Sequence, residues 1–206
     1  MPAMRIPRFP LEIVLLPRME LPLHIFEPRY KQMIGRCIEG GLEFGVILAK
    51  ENAIVPVGCT AEIIQVIRKH EDGRMDIRTI GKTPFQVLKI IQEQLYLEAE
   101  IEYLEDAAGL PESKVTVKLE QLYTKCHELV YGNAPEILEV PEGASTAYQI
   151  AAELPLDLEA KQFLLQLRGE DERQRELIER LERWLPQLEH LRHVREKSRG
   201  NGHGAA

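Results

Sequence analysis

Leu97-Glu98-Ala99-Glu100-Ile101-Glu102-Tyr103 is the stretch whose reading decides the architecture. Leu97, Ala99, Ile101 and Tyr103 alternate with three glutamates, the two-residue period of a strand with one face on a core and one in water. Just beyond it, Ala107-Ala108-Gly109-Leu110-Pro111 carries no period, and after this linker the apolar spacing changes to three and four. A β half, residues 1–106, is therefore expected to precede a helical bundle, residues 107–196, in an α+β chain. The glycine-rich residues 197–206 are expected to form a disordered tail.

Working back toward the N-terminus, short runs rich in Val, Ile and Leu stand between turn residues and read as strands. They are Leu11–Leu16, Leu21–Phe26, Phe44–Ala49, Cys59–Ile67, Met75–Ile80 and Pro84–Ile91, with Leu95–Tyr103 as the last. Glu71-Asp72-Gly73-Arg74 is a hairpin turn, because Asp-Gly supplies the positive φ that a tight reversal needs. One helix interrupts the strands. Pro28 suits its first turn, Tyr30, Met33, Ile34, Cys37 and Ile38 recur at helical spacing, and Gly40-Gly41 can end it.

Working forward, Ser113 is the expected N-cap of a helix bearing Leu119, Leu122, Cys126, Leu129 and Val130, stopped at Gly132-Asn133. Ser145 caps a short helix that finishes before Pro155. Asp157 caps a third, with Phe163, Leu164 and Leu167 inward and Gly169 as its stop. A fourth begins near Asp171 and carries Leu177, Leu181, Trp184, Leu188 and Leu191, and Pro186 is expected to kink or split it.

Composition narrows the function classes. The 206 residues contain 26 Lys and Arg against 33 Asp and Glu, a net charge of −7, and 44% are hydrophobic. Such a balance disfavours a disordered chain or a membrane protein and gives no electrostatic reason to bind nucleic acid or an anionic membrane. Cys37, Cys59 and Cys126 stand far apart with no paired spacing, so they read as reduced, buried thiols. Pro7, Pro10 and Glu12 interrupt any secretory segment, and a cytoplasmic location is expected.

Motifs that would carry chemistry are incomplete. Gly81-Lys82-Thr83 resembles the end of a phosphate-binding loop, but Asp76 stands where its first glycine is required, and the triplet reads as a turn between strands. Gly143-Ala144-Ser145-Thr146-Ala147 half-matches a nucleophile elbow, although Pro135 and Pro141 surround a loop rather than a strand. His190 and His193 share a helix face without further ligands. Glu98, Glu100 and Glu102 read as a solvated face. Between Glu170 and Arg199, eight acidic and eight basic residues describe an ion-paired helix exterior rather than a nucleic-acid stripe. No cofactor motif is found.

One string is more specific. Phe9-Pro10-Leu11 through Pro17, followed by Leu21-Pro22-Leu23-His24-Ile25-Phe26-Glu27-Pro28-Arg29-Tyr30, resembles the opening of the Lon N-terminal domain family, in its stand-alone bacterial members. The likeness continues through Phe44-Gly45-Val46, Val57-Gly58-Cys59-Thr60-Ala61 and Phe85-Gln86-Val87 into Leu154-Pro155-Leu156-Asp157, covering about Arg8 to Leu188. Pro17-Arg18 departs from it, since the family's first turn usually has Pro-Gly.

The resemblance implies a PUA-like β pseudo-barrel with one inserted helix, followed by a C-terminal helical bundle. It further implies a non-catalytic module that binds unfolded or hydrophobic polypeptides, beside a protease or chaperone as accompanying partner. The ATPase and Ser-Lys peptidase modules that follow this domain in Lon proteases have no complete motif here, nor room. Leu21, Leu23, Ile25 and Phe26 of the long string suit a core, whereas His24, Arg29 and Tyr30 carry the polar tips a groove uses and are the candidate substrate-binding residues. Two other classes compete: RNA binding by a PUA-like barrel, which the −7 charge opposes, and a small hydrolase with an unrecognised site.

Overall fold

A computed structural model describes residues 4–50, 53–107, 109 and 111–200. Six strands and five helices are found among them: β1 Met4–Leu11, β2 Glu20–Ile25, α1 Pro28–Gly40, β3 Phe44–Lys50, β4 Ala53–Lys69, β5 Met75–Ile91, β6 Glu98–Tyr103, α2 Ser113–Tyr131, α3 Thr146–Glu153, α4 Leu158–Gln166 and α5 Glu170–Gly200. The strand order is β2-β5-β4-β3-β1-β6, and β6 also pairs with β5, so β5, β4, β3, β1 and β6 form a closed ring of hydrogen-bonded strands. Only β1 with β3 is parallel.

Closing the sheet gives the backbone its own partners and leaves the inside to apolar side chains. Ile6, Ile47, Phe85, Ala99 and Ile101 form that core, with Phe85 fully buried. A Cβ at Gly58 would lie 2.4 Å from the Val46 carbonyl oxygen and 2.8 Å from the Phe85 ring, so only glycine lets the strand pass so near.

Several strand boundaries differ from the sequence pattern, each for a local reason. Leu11–Leu16 is not a strand: β1 lies earlier, and Val14, Leu15 and Leu16 are buried as irregular backbone. Pro7 and Pro10 hide β1 from pattern reading. They are tolerated because Met4–Pro7 pairs only with β6 and Arg8–Leu11 only with β3, which leaves each half an open side for a proline's missing N–H. Gly81-Lys82-Thr83 is no turn but the middle of β5. There a Cβ on Gly81 would sit 2.1 Å from the Leu16 carbonyl oxygen, and the Thr83 N–H donates to Thr60 Oγ1 at 3.1 Å.

At the first turn Arg18 takes φ 66, the one positive φ outside glycine among the described residues. Its N–H donates to the Gly81 carbonyl at 2.8 Å. The hairpin turn is as expected: Gly73 has φ 81, and the His70 N–H donates to the Arg74 carbonyl at 2.8 Å. Leu95 is exposed and β6 begins only at Glu98. Glu98 is 5% exposed rather than solvated, because its carboxylate pairs with Arg5 and lies 3.6 Å from Arg36.

The helices follow their signals closely. α1 starts at Pro28 and ends on Gly41, whose φ of 58 lets its N–H reach the Cys37 carbonyl. The Ser145 and Asp157 side chains accept the N–H groups of Tyr148 and Ala160. Ser113, however, is the first helical residue of α2, and Glu112 occupies the cap position without a side-chain bond. In α4, Leu164 and Leu165 are buried and Phe163 faces outward, and the helix stops at Gln166, ahead of Gly169. α5 runs through Pro186 without a break, and Leu191 on it is exposed. Residues 197–200 are helical rather than part of a tail, and 201–206 lie outside the described residues.

The chain separates into two compact units, which divide differently from a single cut after Asp106. The first comprises residues 1–107 together with 155–168, and the second 108–154 with 169–206. α4 therefore belongs with the strands. Its Gln162 donates to the Val57 carbonyl of β4 at 3.1 Å, and the Arg168 guanidinium holds the Glu105 carbonyl at 2.9 and 3.0 Å. In the second unit α5 packs on α2 and α3. No helix among the described residues is long and apolar enough to cross a membrane.

Candidate functional site

β4 bears an open edge in the first unit. β3 accompanies it only as far as the Phe44–Ala61 pair, and from Glu62 to Lys69 it is hydrogen-bonded to β5 alone. Among the described residues no strand occupies its other side there, so a row of backbone donors and acceptors lies open. Ile64, Val66 and Ile67 on this segment are 44%, 40% and 55% exposed.

The C-terminal end of α1 faces the same segment. Cys37, Ile38, Gly41, Leu42 and Glu43 on one side and Glu62 to Val66 on the other enclose a cleft of ≈ 290 Å³. Ile38 and Leu42 are themselves 40% and 46% exposed, so apolar side chains flank the open edge from both walls. That volume is at or below the low end for small-molecule pockets, which suits side chains entering from an extended chain better than a bound cofactor. Cys37 closes the floor of the cleft, and burial pushes its thiol up to about 11, far from a reactive thiolate. At the rim, Glu62 pairs with Lys82 at 2.9 Å, and that hydrogen bond raises the lysine pKa.

His24, Arg29 and Tyr30 are not brought together in this cleft. Tyr30 is 7% exposed and packs its ring 4.2 Å from that of Phe9, and burial raises its pKa. Arg29 lies over the outer face of that ring, 4.5 Å from its centroid, and pairs with Glu27 at 2.8 Å. His24 points outward on β2, where its Nδ1 bonds Asp76 at 2.6 Å and its ring stacks beside Phe26. Phe26, expected in the core, is 59% exposed.

The remaining motif residues have structural surroundings. Ser145 accepts the Tyr148 N–H and donates to Glu170, with neither His nor Lys among these partners. His190 and His193 are exposed on α5. All three cysteines are buried and unpaired, and burial raises each thiol pKa. Nothing in the run Ile63-Ile64-Gln65-Val66-Ile67 announces an open edge. That property arises from where β3 begins, and strand pairing is a tertiary fact.

Comparison with known proteins gives this fold a family. The family model described as ATP-dependent protease La (LON) substrate-binding domain matches residues 5–183. A curated relative, the Lon protease of Buchnera aphidicola subsp. Baizongia pistaciae (strain Bp), is 25% identical over 93% of this chain; the chain spans only 26% of that protein's length. Among solved structures, a Lon N-terminal domain protein from Xanthomonas campestris superposes with a TM-score of 0.67 at 24% identity, covering 89% of this chain and 99% of the other. The N-terminal domain of a Mycobacterium avium complex Lon protease gives 0.65 at 18%, covering 87% and 98%. Both structural likenesses concern the fold, whereas the family match extends over most of the sequence, and on that match the chain belongs to the Lon substrate-binding domain family.

Proposed function

We propose that the protein binds extended apolar segments of polypeptide substrates along the open edge of β4, as a non-catalytic recognition or adaptor module that serves a separate protease or chaperone. The observation that carries this reading is the unpaired Glu62–Lys69 edge beside the exposed Ile38 and Leu42. An incoming strand would gain main-chain hydrogen bonds from β4, while its alternate side chains enter the cleft. Each such bond contributes only about 0.5–1.5 kcal/mol net, so affinity depends on the apolar walls and on several residues pairing at once.

Register shifts at Ile63/Gln65 and Val66/Arg68 twist the edge, and Arg68 and Lys69 charge its far end. Such devices discourage indefinite edge-to-edge stacking and favour a short occupant. The closed ring of strands fits a PUA-like pseudo-barrel, which holds the long β4–β5 ribbon in place. The non-catalytic reading draws support from Ser145, whose hydroxyl serves as a helix cap.

Fluorescence anisotropy with labelled, unfolded casein tests this function. Saturable binding is expected, weakened about tenfold or more by Ile38→Glu or Ile64→Glu, each of which puts a charge in the apolar wall. Circular dichroism checks that both variants keep the fold. A wild-type chain that binds no casein, or variants that bind as well as wild type, would overturn the reading.

A further inference from the structure

Beside the turn that joins β4 to β5, three side chains from different parts of the first unit converge. His24 on β2 and Asp76 on β5 are cross-strand partners, and His70 follows the last residue of β4. Asp76 lies between the two imidazoles: His24 Nδ1 is 2.6 Å from its Oδ1, and His70 Nε2 is 2.9 Å from its Oδ2. One ligand atom from each residue can be chosen so that all lie within 4.8 Å of one another. We propose that His24, His70 and Asp76 form a binding site for a divalent first-row transition cation of the Zn2+ type.

The donor set argues for that class. Two neutral imidazoles and one carboxylate make a nitrogen-rich site, which suits Zn2+ and its neighbours, while Ca2+ and Mg2+ demand more oxygen ligands. Arg68 stands opposite Asp76 in the β4–β5 register, so excess negative charge is not what the site offers. Zinc bonds of about 2.0–2.2 Å set tetrahedral ligand atoms roughly 3.3–3.5 Å apart, a contraction that side-chain rotation can supply. His24 and Asp76 side chains are 46% and 34% exposed, which leaves room for that rotation and for water in the fourth position.

An imidazole offers a lone pair on one ring nitrogen when its proton sits on the other, so each ring has a nitrogen to present to a cation. A bound cation would tie β2, the end of β4 and the start of β5 together at the tip of the ribbon. This site is independent of polypeptide binding.

Isothermal titration of the chelator-treated full chain with ZnCl2 alone tests the site, beside the imidazole nitrogen NMR spectrum of the wild type. The expected result is one Zn2+ per chain, with Asp76→Asn and His70→Ala each weakening binding tenfold or more, and the double change His190→Ala with His193→Ala leaving it intact. In the spectrum, Zn2+ should shift the His24 and His70 rings. No binding heat and unshifted His24 and His70 signals would overturn the proposal, as would binding that is lost only with the α5 histidines. The wild-type spectrum decides even if a variant fails to fold.

Discussion

The two units differ at their centres. In the strand unit the closed ring pairs the backbone with itself, and the centre around Phe85 is apolar. In the helical unit a charged network sits in the interior: Arg173, with no exposed surface, pairs with Glu170 at 3.0 Å and lies 4.5 Å over the Tyr148 ring. Glu170 also accepts the Ala147 N–H at 3.1 Å and a hydrogen bond from Gln174 at 2.9 Å, and Gln174 in turn accepts from Thr116 of α2. Helices leave their first N–H groups without partners, and α3 has only eight residues, so here side chains do much of what strand pairing does around Phe85.

The contrast can be broken by experiment. Phe85→Ala should produce the largest loss, about 3–5 kcal/mol, because it empties the middle of a closed core. Urea unfolding measures the total, and hydrogen exchange should show α4 losing protection with β4 and β5 while α2 and α5 keep theirs. Equal loss in α2 would mean that the two units unfold as one. Glu170→Ala should cost nearly as much, about 3–4 kcal/mol, since it removes the carboxylate that pairs with buried Arg173 and accepts the Ala147 N–H. Adding Arg173→Met to Glu170→Leu should recover most of that loss if the pair stabilises only by mutual compensation, and urea midpoints decide it. The smallest effect sharpens the strand side alone: Arg18→Gly should stabilise by about 0.5–1 kcal/mol, because an exposed arginine there holds a left-handed backbone. A lowered midpoint would contradict that.

Legibility in the sequence followed the range of the forces. Local chemistry was readable: Pro28 and Gly41 at the ends of α1, the Asp72-Gly73 reversal, and the Ser145 and Asp157 caps all depend on a few neighbouring residues. The family string likewise led to the correct family, and the unusual Pro17-Arg18 pair marked the one non-glycine positive φ among the described residues. What depended on distant partners was not readable. Pro7 and Pro10 concealed β1, whose tolerance for them comes from split pairing. β5 passes straight through Gly81 because Leu16 approaches from another part of the chain. The cleft needs the end of α1, the start of β3 and the edge of β4 at once, and no residue near Ile38 or Ile64 in sequence announces it. His24 was singled out as a groove residue, but its neighbour Asp76 lies 52 positions away and became visible only through the β2–β5 register.

The return of residues 155–168 to the strand unit sets a timetable for synthesis. When Ala107 leaves the ribosome, every strand has been made, yet the α4 segment that supplies Gln162 to Val57 and Arg168 to Glu105 is still roughly 60 residues away, about 3–12 s at ordinary elongation rates. During that interval α2 and α3 emerge while the Val57 and Glu105 carbonyls still lack these partners. The strand unit can therefore be completed only after Arg168 has appeared.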